Sequence, residues 1–162
     1  MDKVKRYSIE DADLVNAILR DESIYPWISD DGCPPSDQFS SDQFLLASNY
    51  YFLAPDVNSL FIYNPVNCIT WEIHFNVLPP SRGFSTKLTK ATLNYMFNET
   101  ECQKVVVHIP LFNMAAFNLS IASGFRVEGC SCKSFLKHGI LYDQYLMGLT
   151  KEDFKCLGYQ RQ

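Results

Sequence analysis

No apolar run in this chain approaches the roughly 20 residues that a membrane-crossing helix requires, so no membrane role is expected. Positive charge is in short supply as well. Fourteen Lys and Arg against 18 Asp and Glu give a net charge of −4, with the basic residues scattered, which argues against a nucleic-acid surface. The opening MDKVKRYSIEDAD is charged and has no apolar segment of the signal-peptide type, so a cytoplasmic location is expected. No repeat, low-complexity tract or linker divides the 162 residues, and a chain of this length with 47% apolar residues can bury one core. One domain over residues 1–162 is expected.

Six cysteines are present, Cys33, Cys68, Cys102, Cys130, Cys132 and Cys156. Without a secretory segment they are expected to be reduced and mostly buried. Cys130 and Cys132 are two apart in an extended segment and share a face, but no second Cys/His pair at ligand spacing accompanies them, so no metal is expected.

Periodicity assigns the elements. Residues 3–8 suit a short strand, and Ser8 with Glu10 and Asp11 precedes an amphipathic helix over 12–19. The stretch 21–42 mixes Asp, Ser, Pro and Gly around Tyr25, Trp27 and Phe39, the composition of a long irregular loop facing a substrate or packed on the surface. Residues 50–53, 60–63 and 68–77 form an antiparallel meander. In its last strand Trp71, Ile73, Phe75 and Val77 share one face, and Glu72, His74 and Asn76 the other. A helix is predicted over 86–98, and a final hairpin pairs 126–136 with 140–149.

The richest segment is VVVHIPLFNMAAFNLSIASGFRVEG, residues 105–129. A β-branched run stops at Pro110, Asn113 can cap the helix that follows, and Gly124 can close it in the left-handed conformation before Phe125 restarts extended chain. Further on, Thr150 is placed to cap a last short helix, with Asp153 at its third position.

The spacing of Asn113, Ala116, Gly124, Phe125 and Glu128-Gly129 resembles the C-terminal half of the GNAT superfamily of acyl-CoA-dependent N-acyltransferases, especially its ribosomal-protein and N-terminal acetyltransferase branch. Residues 71–97 look like that family's strand, phosphate-binding turn and long helix, with Tyr95 and Phe97 as the terminal aromatic pair. Gly139 and Asp143 fall where the branch has a Gly and an Asp in its last hairpin. The resemblance covers residues 45–150. It implies an α+β fold, a mixed and mostly antiparallel sheet of six or seven strands with helices on both faces, and a splay between the strands carrying His74 and His108.

The resemblance also implies acetyl-CoA as cosubstrate, no metal, and an amine acceptor, either a small molecule or a protein N-terminus or lysine. Val77, Arg82, Gly83, Phe84, Ser85, Asn113 and Ala116 would hold the cosubstrate, and Tyr25, Trp27, Tyr142 and Asp143 the acceptor. The family's phosphate pattern is Gln or Arg, two residues, Gly, one residue, then Gly or Ala; this chain offers Pro80, Gly83 and Ser85. Pro80 has neither a long polar side chain nor a backbone N–H, so Gly83 is either a phosphate contact or a simple turn. Asn113 is either a cap or a pantetheine contact. Ser120 replaces the family's acidic Tyr, and His108 stands where related enzymes often have a catalytic Glu. Glu72, His74 and His108 are alternatives for the general base. The altered turn and missing Tyr also fit a second reading, an inactive GNAT-shaped binding or assembly protein resembling tailed-bacteriophage head or internal-virion factors. Its partners would be other phage proteins and its compartment the host cytoplasm.

Overall fold

The computed structural model describes residues 3–158. Its seven strands are β1 (Lys5–Arg6), β2 (Tyr51–Ala54), β3 (Ser59–Pro65), β4 (Thr70–Val77), β5 (Lys104–Pro110), β6 (Arg126–Lys137) and β7 (Ile140–Thr150). They form one sheet in the order β1-β2-β3-β4-β5-β7-β6, in which β4 and β5 are parallel and the other neighbours antiparallel. The expected α+β class and strand number are borne out. Among the described residues no helix is long and apolar enough to cross a membrane.

Alternation along the strands builds two cores. On one face Leu53, Phe61, Tyr63, Trp71, Ile73, Val105, Val107 and Ile109 pack against α4 (Ser85–Glu99), α5 (Met114–Ser123) and α6 (Lys151–Cys156) through Leu93, Met96, Phe97, Phe117 and Phe154. On the other, Phe52, Leu60 and Ile62 meet Val15, Ile18 and Leu19 of α1 (Ala12–Arg20). Helices therefore cover both faces, because each face of a strand must bury its own set of alternate side chains.

Several local expectations are borne out, with small shifts. Ser8 and Asp11 form a reciprocal capping box over a 3₁₀ turn at Ile9–Asp11, and this turn shortens β1 to two residues. The Cys68 position lies in the β3–β4 turn, where Asn67 Oδ1 accepts the Ile69 N–H, so β4 begins at Thr70. Thr150 Oγ1 accepts the Asp153 N–H at the start of α6. The loop over 21–42 contains one helical turn, α2 (Tyr25–Ile28), and a 3₁₀ turn at Ser36–Gln38, and a further turn, α3 (Asp42–Leu45), follows it.

The thiols require a correction. All six cysteines are free, but only Cys102 is buried; Cys33 is half-buried and the other four are exposed. Cys130 and Cys132 lie on β6, an edge strand, while Cys68 and Cys156 sit in a turn and at a helix end, so the core never reaches them. Burial pushes the Cys102 thiol up to about 12, which keeps it protonated and inert.

Gly124 closes α5 at φ 103°, and a Cβ there would stand 2.3 Å from Leu157 Cδ1. Gly124→Ala is expected to cost about 1–2 kcal/mol through the left-handed backbone. That corresponds to a fall of roughly 3–6 °C in the melting temperature by calorimetry. Adding Leu157→Ala relieves the contact and leaves the backbone strain, so recovery should be partial.

Candidate functional site

The site begins where β4 and β5 part. They pair at Thr70–Lys104, Trp71–Val105 and Glu72–Val106, and among the described residues no pair follows, although β4 runs on to Val77 and β5 to Pro110. Backbone groups that line the resulting gap are available to a ligand entering it. The expected splay near His74 and His108 is present.

The end of β4 separates two cavities. Phe75 and Val77 face a cleft of about 540 Å³ walled by α5 and the N-terminus of α4, with Trp27, Arg82, Ser85, Asn113 and Ala116 in its lining. His74 and Asn76 face a smaller cavity of about 160 Å³ beneath the 21–42 loop, lined also by Tyr25, Phe39, Phe44, Tyr50 and Ile62. Ile28 touches both.

In the larger cleft the turn before α4 is a 3₁₀ helix, Pro79–Phe84, that leads into Ser85. No side chain caps α4; the preceding 3₁₀ turn takes the Ser85 N–H on the Arg82 carbonyl, and the positive end of the helix dipole is what remains for an anion. Nothing lies within 4 Å of a Cβ built on Gly83, and its backbone is not in the left-handed region. Neither packing nor strain demands glycine at that place, whereas the close approach of a ligand to the backbone would. Arg82 is partly committed: its Nε donates to the Val77 carbonyl at 3.2 Å and its NH2 to the Ser23 carbonyl at 3.1 Å. Ser85 Oγ donates to the Arg82 carbonyl, and Phe84 is exposed outside the lining. Asn113 caps α5, its Oδ1 accepting the Ala116 N–H at 3.2 Å, and the side-chain nitrogen is left for another partner. Capping and ligand contact thus use different ends of one amide.

Three candidate bases converge. His108 Nδ1 lies 2.8 Å from Glu72 Oε1 across the last paired rungs, and His74 sits two residues along β4 on the same face as Glu72. Asn64 Nδ2 donates to His74 Nε2 at 3.0 Å, which places the remaining proton on Nδ1. Burial lowers the His74 pKa, partly opposed by the nearby Glu72 carboxylate, so this ring is neutral. Ser120 is elsewhere. It is fully buried, and its hydroxyl donates to the Ala116 carbonyl at 2.9 Å, the usual back-bond of a mid-helix serine. It lines neither cavity.

The acceptor-side expectations divide. Tyr25 lines the smaller cavity, its hydroxyl donating to the Pro34 carbonyl, while Trp27 lines the larger cleft. Tyr142 and Asp143 line neither. Tyr142 packs edge-on to Phe112 with ring centroids 4.7 Å apart, and Asp143 Oδ1 accepts the N–H of Lys133, a residue at φ 49° in the bulged part of β6. Asp143 is a structural carboxylate there; one of its oxygens and the Cys130 and Cys132 sulfurs all lie within 4.8 Å of one another.

Sequence reasoning missed a clamp that fixes the loop. Asp31 accepts the His138 and Gly139 N–H groups at 2.7 and 2.8 Å, its own N–H donates to Leu136, and Lys137 Nζ donates to the Pro26 and Ser29 carbonyls. The receiving turn has His138 at φ 53° and Gly139 at φ 72°, the tight two-residue hairpin geometry that presents adjacent N–H groups outward. The only signal in the sequence was the His-Gly pair between two strands.

No family model matches the chain. It is 31% identical over 88 residues to the SPbeta prophage-derived uncharacterized N-acetyltransferase YokL of Bacillus subtilis, an alignment covering 53% of this chain and 50% of that protein. The chain thus spans about half the length of the curated relative it matches. Spermidine N-acetyltransferase from Vibrio cholerae, solved with CoA and spermine, superposes with a TM-score of 0.75 at 17% identity, covering 94% of this chain and 96% of that one. A GNAT-family acetyltransferase from Bacillus anthracis gives 0.71 at 16% identity over 92% and 94%. The resemblance to the GNAT fold is borne out.

Two backbone donors, Gly139 foremost and then His138, hold the Asp31 carboxyl below the usual carboxylate range. A carboxyl depressed on folding adds stability that is complete above its unfolded pKa, about 3.9, and is lost as pH falls through the lower folded value. Asp31→Asn is expected to speed hydrogen exchange at the His138 and Gly139 amides at pH 7. In the unsubstituted protein the same amides should lose protection only in acid, below about pH 4.

Proposed function

We propose that this chain, which has the GNAT N-acyltransferase fold, transfers an acetyl group from acetyl-CoA to an amine. The observation that carries the reading is the parting of β4 from β5 beside a cleft that ends on an uncapped helix N-terminus. The residues present fit the cosubstrate. The α4 N-terminus and the open backbone at Gly83 suit a pyrophosphate, Arg82 adds positive charge, and the free nitrogen of Asn113 suits a pantetheine carbonyl. The binding and assembly reading finds no support among the relatives, which are acetyltransferases.

The thioester supplies an activated acyl carbon. Backbone N–H groups along the unpaired part of β4 polarise its carbonyl, and Glu72 with His108 takes the proton of the attacking amine, directly or through water. His74 is a poor base in this arrangement, since its Nε2 lone pair is engaged by Asn64. It lines the acceptor side instead.

Binding is checked by thermal shift. A saturating excess of CoA should raise the melting temperature, by about 2.7 kcal/mol of stability at a hundred times Kd, and no shift with no calorimetric heat would overturn the reading. Gly83→Ala should leave stability equal or slightly higher while weakening CoA binding severalfold, because the new methyl group meets only the ligand. Glu72→Gln and His108→Ala should each lower CoA release by about 10²-fold or more with CoA binding kept. Unchanged rates in both variants would remove the pair from proton transfer.

A further inference from the structure

The smaller cavity specifies what the amine is attached to. It is walled by rings: Tyr25 meets Phe39 edge-on at 5.7 Å and Phe44 tilts against Tyr50 at 5.3 Å, with Ile62 and Phe52 of the sheet also in its lining. No Asp, Glu, Lys or Arg is among its lining residues. Three of its four hydroxyls are spent on the protein and the fourth, on Tyr50, is left for a ligand. Tyr25 donates to Pro34, Ser29 Oγ to the Tyr25 carbonyl and Ser41 Oγ to Asn16 Oδ1. His74 is held neutral by burial and by the Asn64 amide.

One fully buried side-chain atom of the lining has no partner. Asn76 is fully buried in β4, and its Nδ2 donates to the Leu60 carbonyl at 3.1 Å, which fixes the amide, but its Oδ1 has no partner. A buried acceptor left unpaired costs roughly 1–3 kcal/mol. That oxygen has almost no surface open to the cavity, so an N–H reaches it only where the Asn76 side chain shifts. The site therefore offers one phenol hydroxyl, a neutral imidazole and apolar walls in a volume of about 160 Å³. An apolar cavity of about 150 Å³ accommodates one benzene ring.

We infer that the acceptor is a monoamine whose nitrogen is carried on one ring-sized apolar group, with that group seated among Tyr25, Phe39, Phe44 and Ile62 and the nitrogen beside His74 and Asn76. A polyamine is disfavoured, because each further ammonium would be buried in apolar surroundings with no carboxylate to pair it. This specificity differs from that of the Vibrio cholerae neighbour, which is solved with spermine. The inference rests on the proposed acetyl transfer. In that step the amine nitrogen bonds to the acetyl carbon, the carbon–sulfur bond breaks, the amine proton passes to Glu72 and His108, and CoA leaves as the thiolate. Two sources share this chemistry, a free monoamine and a peptide N-terminus with an apolar first side chain.

The test uses the full chain with acetyl-CoA, measuring CoA release with phenethylamine, isopentylamine, a tetrapeptide beginning with Phe, and spermidine. A kcat/KM at least tenfold higher for any of the apolar amines than for spermidine is expected, and the free-amine and peptide arms identify the source. Spermidine matching or exceeding them would overturn the inference while leaving acetyl transfer intact. Acetyl-CoA binding with no release for any apolar amine would overturn it too, whereas failure to bind acetyl-CoA would sink the proposed function itself. Cys33→Phe fills the cavity from its half-buried rim and is expected to raise KM for the preferred amine at least tenfold, with the thermal shift by CoA unchanged. An unchanged KM would displace the acceptor from this cavity.

Discussion

The structure turns on one interrupted ladder. β4 and β5 pair through three rungs and then separate, and a parallel pair that parts inside a sheet leaves backbone donors and acceptors in need of partners. The interruption is stable because each strand is held on its other side. β4 pairs with β3 from Thr70 to Val77 in all but its first residue, and β5 pairs with β7 along its whole length. A sheet that lost either outer partner could close the gap or fray. The cleft is thus a property of strand order, and the helices only wall it.

Because β4 borders the gap, the two-residue period of a strand becomes a division of labour. Phe75 and Val77 point to the cleft shared with α4 and α5, and His74 and Asn76 point to the cavity under the 21–42 loop. A reaction joining a donor from one side to an acceptor from the other needs such a partition, with the proton acceptors at the point of parting. Glu72 and His108 stand at that point. The clamp from Asp31 to the His138-Gly139 turn ties the loop over the smaller cavity to the sheet's far hairpin, adding polar anchors to the packing of Ile28 and Phe39.

Much of this was legible in the sequence because it depends on period and punctuation. Alternation in 71–77 placed Glu72 and His74 on one face, and Asn113 and Gly124 bracketed α5 where the structure has them. What could not be read depends on non-local closure. Nothing local says that Asp143 would turn to the Lys133 amide instead of to a groove, since that contact exists only through the bulge in β6. The exposure of the cysteines followed from β6 becoming an edge strand, a consequence of strand order. Trp27 lies two residues, about half a turn of helix, from Tyr25 and so faces the other cavity, but that follows only once a four-residue helix is known to form there.

Ser120 stands where the resemblance read from the sequence has a Tyr, and its buried hydroxyl donates to the Ala116 carbonyl. The consequence is smaller than the loss suggests. A thiolate is a better leaving group than an alkoxide, and in the proposed transfer one released into an open cleft can take its proton from water. The step that does demand help is the removal of a proton from the amine, because an ammonium has no lone pair with which to attack. Under the proposed transfer, the smaller cavity, with no carboxylate in its lining, would ease that step by favouring the neutral amine over the ammonium. Under the proposed transfer, a missing acid and an uncharged smaller cavity are therefore compatible, and both would place the demand for proton transfer on Glu72 and His108.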